Sequence, residues 1–421
     1  MKLKLVLLCL VLTGLSIATA QTRIEVWYSL GQNFGAPLFE EFSERFNAER
    51  DDIVADAIYA GVYADTVQKA QAAVAAGNPP AVLMLEQTRG PAFVDAQAVL
   101  SLEQLISSDP DFDLSDFPEP LLETCRIDGT LYCIPFNPST PIVFHNKDMF
   151  REVGLDPETD VPETWDELLA IGDDFARYND NGELERRAFG LPTAPTWLFD
   201  TWLGQAGGTH LNEQGDAFVF NDEHGVRVAE FWLELIENDV ARPFQGAQNN
   251  ASPDFFGGRQ AMMVASTASL ESRFEQAEFD IGAAPFWCGE QCYVPIGGAN
   301  LFITEKSSEA ERQAAWEFIK WITSTENTAE FAAATGYMAV RRSALETETM
   351  REQFQRRPEA RITYEQMESH GHPRPLVPFW NDVQSQITVA SEKVLLDNQD
   401  PQRALDEAVA EADRLLRVYA R

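Results

Sequence analysis

The chain has 421 residues, and its 67 acidic side chains against 32 basic ones give a formal net charge of −35. This charge argues against a surface that binds nucleic acid or anionic lipid, because both would be repelled. The chain is also too long for one ordinary hydrophobic core, so we expect two domains.

The first twenty residues have the three parts of a secretory signal peptide. Lys2 and Lys4 form a basic start, 5–15 is an apolar run, and Ala18-Thr19-Ala20 gives the small-x-small pattern of a cleavage site. The run is shorter than the roughly 20 residues that cross a bilayer. We expect export with cleavage after Ala20; a retained N-terminal anchor is the alternative.

Four cysteines remain after the signal segment: Cys125, Cys133, Cys288 and Cys292. An even number in an exported protein indicates disulfides, and four cysteines allow three pairings. The short spacings, each with a turn-forming glycine, favour Cys125–Cys133 and Cys288–Cys292. A zinc site is the alternative, but the paired C-x₂-C spacing is missing.

The first of these disulfides requires an irregularity in the hairpin between its two cysteines. Asp128-Gly129 is a strong signal for a two-residue hairpin turn. Such a turn places Cys125 opposite Tyr132, so a bridge to Cys133 requires a bulge.

The chain then alternates predicted strands and helices. Ile24–Trp27 is a short strand, and apolar residues at helical spacing follow between 38 and 46. Ile53–Tyr59 is a strand, Asp65–Ala76 an alanine-rich helix, and Ala81–Leu85 a buried strand. This β-α-β-α-β succession predicts an α/β fold with a largely parallel sheet flanked by helices.

Later helices are predicted from capping and apolar spacing. Thr164 followed by Glu167 has the sequence of a capping box. Apolar stripes indicate helices over 226–236 and 309–323, and Pro401 suits the first turn of a final helix ending near Tyr419. No long Pro/Ser linker separates two halves, so we expect interleaved domains.

The usual catalytic signatures are missing from the sequence. There is no G-x-S-x-G elbow, no G-x-x-x-x-G-K-[ST] phosphate loop and no H-E-x-x-H metal helix. A pair of carboxylates could still act as in a glycosidase, which leaves a secreted hydrolase as a remote alternative. We expect no enzyme activity, no cofactor and no metal.

Short segments spread over the chain carry a family resemblance. They are Trp27-Tyr-Ser-Leu30, Ala60-Gly-Val-Tyr63, Ala76-Gly-Asn-Pro-Pro80, Pro135-Phe-Asn-Pro-Ser-Thr-Pro141, Asn146-Lys-Asp148, Gly154-Leu-Asp-Pro157, Phe256-Gly-Gly-Arg-Gln-Ala-Met262, Ile296-Gly-Gly-Ala299 and Thr335-Gly-Tyr337. Together they resemble family 1 extracellular solute-binding proteins of ABC importers, above all the glycerol-3-phosphate-binding members.

The resemblance implies a type II periplasmic binding protein fold, in which two α/β lobes joined by hinge crossings close around a ligand. Lobe 1 is expected to comprise 21–138 and 297–335. Lobe 2 is expected to comprise 139–296 and 336–421. The implied location is the periplasm.

The resemblance also implies a set of ligand contacts: Tyr63, Glu86, Ser139, Trp197, Ser266, Gly298 and Tyr337. Glu86 follows a predicted parallel strand, at the end where α/β sheets bind ligands, and its carboxylate can accept hydroxyl hydrogen bonds. The alternatives are a helix cap for Glu86, plain turns for Ser139 and Gly298, and a core position for Trp197.

Two positions depart from the family pattern. The phosphate-contacting arginine falls on Gln386, and a second cleft tryptophan falls on about Ala194. A neutral amide cannot replace a guanidinium that holds phosphate with two bonds. Arg374 or Arg341 could substitute for it, and the missing ring would leave room for a larger ligand.

We therefore expect a monomeric importer receptor whose lobes close on glycerol-3-phosphate or a glycerophosphodiester. It would dock on membrane permease subunits and would not bind nucleic acid. A neutral carbohydrate is the alternative ligand, and a sensory binding module is the alternative role.

Overall fold

The computed structural model describes residues 21–195 and 197–419. The predicted signal segment lies outside these residues. The strands are β1 (Thr22–Tyr28), β2 (Ile53–Tyr59), β3 (Val82–Glu86), β4 (Arg126–Ile127), β5 (Thr130–Leu131), β6 (Cys133–Pro135), β7 (Pro141–Asn146), β8 (Arg177–Tyr178), β9 (Leu184–Pro192), β10 (Ala241–Phe244), β11 (Gln260–Ser266), β12 (Ile281–Ala284), β13 (Val294–Pro295), β14 (Ala299–Ile303) and β15 (Gly371–His372).

The helices follow the same chain order. They are α1 (Ala36–Glu49), α2 (Tyr63–Ala76), α3 (Gly90–Asp95), α4 (Glu103–Ser107), α5 (Glu119–Glu123), α6 (Lys147–Glu152), α7 (Trp165–Gly172), α8 (Trp197–Gln205), α9 (Glu223–Glu237), α10 (Ser252–Phe256), α11 (Leu270–Gln276), α12 (Glu309–Ile322), α13 (Thr325–Thr335), α14 (Glu348–Arg356), α15 (Glu359–His370), α16 (Trp380–Leu395) and α17 (Pro401–Tyr419). Within the described part of the chain, none of these helices is long and apolar enough to cross a membrane.

The first sheet has the strand order β2-β1-β3-β14-β6. β1 pairs in parallel with β2 and β3, whereas β14 is antiparallel to β3 and β6. The predicted β-α-β-α-β succession is confirmed, with α1 and α2 connecting parallel strands. Residues 82–85 of β3 are all buried, as a strand covered on both faces requires.

The second sheet has the order β10-β9-β11-β7-β12, with β8 paired to β9. β10, β9 and β11 are parallel, whereas β7 is antiparallel to β11 and β12. Each sheet thus contains three parallel strands next to one reversed strand, β14 or β7. Each reversed strand follows a point where the chain passes from one sheet to the other.

A separate hydrophobic core surrounds each sheet, and a third cluster packs on the second sheet. Most buried apolar residues between Tyr337 and Met367 belong to the first core, with Ala360 in the third cluster, and those between Phe379 and Ala412 belong to the second. This packing favours a lobe boundary near residue 370 rather than at 336. The exact lobe boundaries remain a prediction.

The cap of α7 agrees with the sequence except in one detail, whereas α2 and α9 begin two and three residues before their predicted starts. Thr164 Oγ1 accepts from Glu167 N at 3.2 Å, as predicted for the cap of α7. The Glu167 carboxylate, however, accepts from Glu163 N, one residue before the cap. A complete capping box occurs instead at α12, between Ser308 and Glu311.

The two predicted disulfides are present. Cys125 is bonded to Cys133 and Cys288 to Cys292, with Cα–Cα distances of 5.1 and 4.5 Å. Tyr132 N donates to Cys125 O, so Tyr132 lies opposite Cys125 in the hairpin, as the Asp128-Gly129 turn requires. The chain then leaves the hairpin, because Cys133 begins β6 and pairs with Phe302 in the first sheet.

Replacing both Cys125 and Cys133 by alanine should lower the free energy of unfolding by about 2–3 kcal/mol, because the bridge closes a short loop in the unfolded chain. Urea unfolding of the oxidised proteins measures the difference. The wild type under reducing conditions serves as control. Equal midpoints for variant and wild type would contradict a stabilising role for the bridge.

Candidate ligand-binding cleft

In the described part of the chain, three segments join the two sheets or their cores: residues 137–140, 296–298 and 373–379. Ser139 and Gly297 exchange backbone hydrogen bonds of 3.0 and 2.7 Å, which joins the first two crossings. Ile296 N donates to His372 O at 2.8 Å, next to the pairing of β13 with β15, which joins the second to the third. The crossings therefore lie side by side, as a hinge between two lobes requires.

Gly298 allows the first two crossings to approach each other. Its φ is +100°, and a Cβ atom there would lie 2.0 Å from Asn137 O. No other residue type fits this position without moving the backbone. The structure thus gives Gly298 a packing role, and its predicted contact with a ligand stays a prediction.

Two tyrosines and an asparagine meet beside these crossings. Asn137 Nδ2 donates to the Tyr63 hydroxyl at 3.4 Å, and Tyr337 interacts with both side chains. Burial raises the pKa of both tyrosines, and Tyr337 and Glu86 add to the rise at Tyr63. Both phenols therefore remain neutral and can donate to a ligand oxygen.

Glu86 ends β3 and reaches across to the other lobe. Its Oε2 accepts from Thr88 N and Oγ1, which caps a short 3-10 turn, as the alternative interpretation expected. Its Oε1 accepts from Arg374 Nη1 at 3.2 Å. Glu86 is therefore both a cap and a partner of a buried cation.

Arg374 lies on the third crossing and is held by two carboxylates. Its Nε donates to Asp200 Oδ2 at 2.8 Å, and Asp200 belongs to α8 in the second core. Burial alone would lower the pKa of Arg374, but Asp200 and Glu86 outweigh that effect and raise it. The guanidinium is thus permanently charged and links the two lobes through Glu86 and Asp200.

Polar atoms without a partner surround this ion chain. Arg374 Nη2 is buried and has no hydrogen-bond partner among the described residues. His210 Nε2 lies 2.9 Å from Asp200 Oδ1, but outside hydrogen-bond geometry. Since an unpaired buried donor costs about 1–3 kcal/mol, Nη2 is a natural site for a ligand oxygen.

Trp197 and Ser139 are brought together at the second crossing. Trp197 Nε1 donates to Pro295 O at 3.1 Å, and a Cβ atom on Gly297 would contact both the Trp197 ring and Ser139 Oγ. Trp197 is only 9% exposed, so it also serves as a core residue, as the alternative interpretation allowed. Ser266 ends β11 and caps the next turn by accepting from Ala268 N.

Gln386 and Ala194 do not join this group through any hydrogen bond that the structure describes. Gln386 lies on α16, which packs beside the turn at Gln87–Arg89, while Ala194 N donates to Gly246 O. Of the two arginines considered as substitutes, Arg341 bonds Thr323 O and lies over the Phe117 ring in the first lobe. Arg374 is therefore the arginine that lies in the cleft.

Sequence reasoning missed Asn137, Asp200 and His210. Asp200 carried a usable signal, because it is the one acidic residue in the apolar stretch Trp197–Gln205, and a buried acid requires a partner. Asn137 and His210 carried none, since only the folded chain brings them beside the predicted residues.

Two cavities were found near these elements. One of about 200 Å³ adjoins Asp200, His210, Tyr293 and Arg374. The other, of about 1060 Å³, lies between α15 and the β12 edge of the second sheet. Neither the seven predicted contact residues nor Gln386 lines either cavity, so the candidate site is defined by its side-chain contacts and not by cavity size.

Residues 41–361 match the sequence profile of the bacterial extracellular solute-binding proteins. The chain belongs to this family. Its solved relatives have the two-lobed periplasmic fold, which confirms the predicted architecture. As a member, the protein is a non-enzymatic receptor that binds a small ligand and delivers it to the permease of an ABC importer.

Individual relatives are similar over almost the whole chain. The sn-glycerol-3-phosphate-binding periplasmic protein UgpB of Pectobacterium atrosepticum is 28% identical, over 96% of this chain and 93% of its own. The structure of UgpB from Mycobacterium tuberculosis in complex with glycerophosphocholine matches with a TM-score of 0.82, 25% identity, and coverage of 95% and 98%. The sugar-binding protein MalE of Xanthomonas citri matches with a TM-score of 0.81, 21% identity, and coverage of 94% and 97%, which shows the fold.

Replacing Gly298 by alanine should destabilise the protein by at least about 2 kcal/mol, because strain at positive φ is added to the overlap with Asn137 O. Gly129→Ala is the matched control: Gly129 has φ +78° but open space around it, so only the strain remains. Denaturant unfolding of both variants measures the difference. Equal losses would mean that the close approach of the crossings does not constrain residue 298.

Proposed function

We propose that this receptor binds a glycerophosphodiester, with Arg374 as the residue that contacts the phosphate. The observation that carries the proposal is a buried guanidinium, fixed between two lobes, with one terminal nitrogen unpaired. A phosphate oxygen that accepts from Nη2 would form a charge-assisted hydrogen bond and satisfy this donor.

The surrounding groups suit the glycerol end of such a ligand. Tyr63 and Tyr337 offer hydroxyl donors, and Glu86 can accept from a ligand hydroxyl through its remaining lone pairs. Ser139 and the Trp197 ring both lie next to Gly297. Polar groups on both lobes next to aromatic faces are typical of sites for small polyols. A ligand that touches both sets favours the closed state.

The local charge favours a diester over a monoester. Arg374 faces Asp200 and Glu86, and Arg89 Nε lies 3.7 Å from Glu86 Oε2, so two guanidiniums face two carboxylates. A phosphate monoester carries about −1.5 to −2 charges at pH 7, whereas a diester carries one. The more highly charged monoester would meet two guanidiniums whose positive charge is already offset by the two carboxylates.

The names of the related proteins support a phosphate-bearing ligand. The curated relatives are named for sn-glycerol-3-phosphate, and the relative from Mycobacterium tuberculosis is described in complex with glycerophosphocholine. The resemblance places a second cleft tryptophan at about Ala194, and a small residue there is compatible with a ligand larger than glycerol-3-phosphate.

A neutral oligosaccharide is the second candidate ligand. Glu86 beside Tyr63, Tyr337 and Trp197 combines a carboxylate acceptor with aromatic faces, which is also the arrangement that sugars require. Under this alternative Arg374 would fix the position of Glu86 rather than contact the ligand.

We further propose that the receptor is exported through residues 1–20, works as a monomer in the periplasm and does not bind nucleic acid. The periplasmic location of the relatives and the strongly negative charge support these points.

Calorimetric titration of the mature protein with glycerophosphocholine, glycerol-3-phosphate and maltose tests the ligand assignment. We expect saturable binding of glycerophosphocholine, and Arg374→Gln should weaken it by on the order of tenfold to a hundredfold through loss of a charge-assisted hydrogen bond. Arg417→Gln, at an exposed residue in the last turn of α17, is the matched control and should bind as the wild type does.

Saturable binding of maltose with no binding of either phosphate compound would reject the phosphodiester in favour of the sugar. Unchanged affinity of Arg374→Gln for glycerophosphocholine would show that the phosphate contact is placed wrongly.

A further inference from the structure

Asp200 is a buried acid in an otherwise uncharged helix. All nine residues of α8 are buried, and the Asp200 side chain is only 2% exposed. Its neighbours Leu198, Phe199, Trp202 and Leu203 belong to the second core. A carboxylate in such surroundings is retained only with a charged partner, and that partner is Arg374.

Arg374 depends on Asp200 for its position. It lies between Pro373 and Pro375, in a crossing that is neither helix nor strand, so regular backbone structure does not fix its side chain. Asp200 holds Nε from the rigid second core, which leaves the Nη1 and Nη2 edge for Glu86 and a ligand. The Asp200 carboxylate therefore sets the orientation of Nη1 and Nη2 of Arg374.

Asp200 also reduces the positive charge that a ligand meets. The Nε–Oδ2 distance of 2.8 Å places a full negative charge against Arg374 in a site shielded from water. At this depth charges interact more strongly than at the surface, so the offset is felt by any anion that binds Nη2.

We propose that Asp200 is the specificity-determining residue of the cleft. By positioning Arg374 and partly neutralising its charge, Asp200 selects ligands that carry at most one negative phosphate charge. This inference rests on the proposed function. Asp200, which was not among the predicted contact residues, would thus determine whether phosphodiesters or phosphomonoesters bind.

The test compares the affinities of Asp200→Asn for glycerol-3-phosphate and glycerophosphocholine by calorimetry at pH 7.5. Asparagine keeps an oxygen acceptor for Arg374 Nε but removes the charge. We expect the ratio of the two affinities to shift at least about tenfold towards glycerol-3-phosphate, because the dianion gains more than the monoanion from the uncovered cation.

Two further variants complete the test. Asp200→Ser is a second uncharged variant that provides the measurement if Asp200→Asn does not fold. Glu185→Gln, at an exposed residue near the start of β9, makes the same change in net charge and should leave the ratio within about twofold of wild type.

The outcomes separate the inference from the proposed function. Wild type that binds neither phosphate compound overturns the proposed function and this inference with it. Wild type that binds glycerophosphocholine, with an unchanged ratio in the folded uncharged variants, overturns the inference alone. A shift of equal size in Glu185→Gln would also overturn it, since long-range charge would then explain the effect.

Discussion

The structure depends on one chain of charges, Glu86–Arg374–Asp200, that joins the two lobes at the crossings. Arg374 donates to Glu86 from the first lobe at 3.2 Å and to Asp200 from the second at 2.8 Å. Because each carboxylate is anchored in a different core, the guanidinium can keep both hydrogen bonds only at one separation of the lobes. A group that binds Arg374 and the tyrosines together must therefore favour one arrangement of the lobes.

The fold brings this ion chain together from distant parts of the sequence. β3 delivers Glu86 at its carboxyl end, α8 presents Asp200 from the second core, and the third crossing carries Arg374. The reversed strands β7 and β14 start directly after crossings. β7 then pairs with β11 in the second sheet, and β14 pairs with β3 in the first sheet. Gly298 permits the contact between two crossings that no side chain would allow.

Local signals in the sequence predicted the elements well, because apolar spacing, caps and the cysteine turns act over a few residues. The alternation of β1 to β3, the final helix and both disulfides were all predicted and are present. The reversed strands and the Asp200–Arg374 pair were not, since they depend on contacts between residues more than 100 positions apart. The assignment of the family's phosphate-contacting arginine to Gln386 stays a prediction, and the structure shows that Arg374 supplies a cation from another segment.

A crystal structure of the mature protein with glycerophosphocholine tests the central claim most directly. The account predicts a phosphate oxygen within hydrogen-bonding distance of Arg374 Nη2, while Nε stays on Asp200 and the glycerol hydroxyls contact Glu86 or Tyr63. A phosphate bound elsewhere, with the Glu86–Arg374–Asp200 chain unchanged and no ligand contact to Arg374, would contradict it.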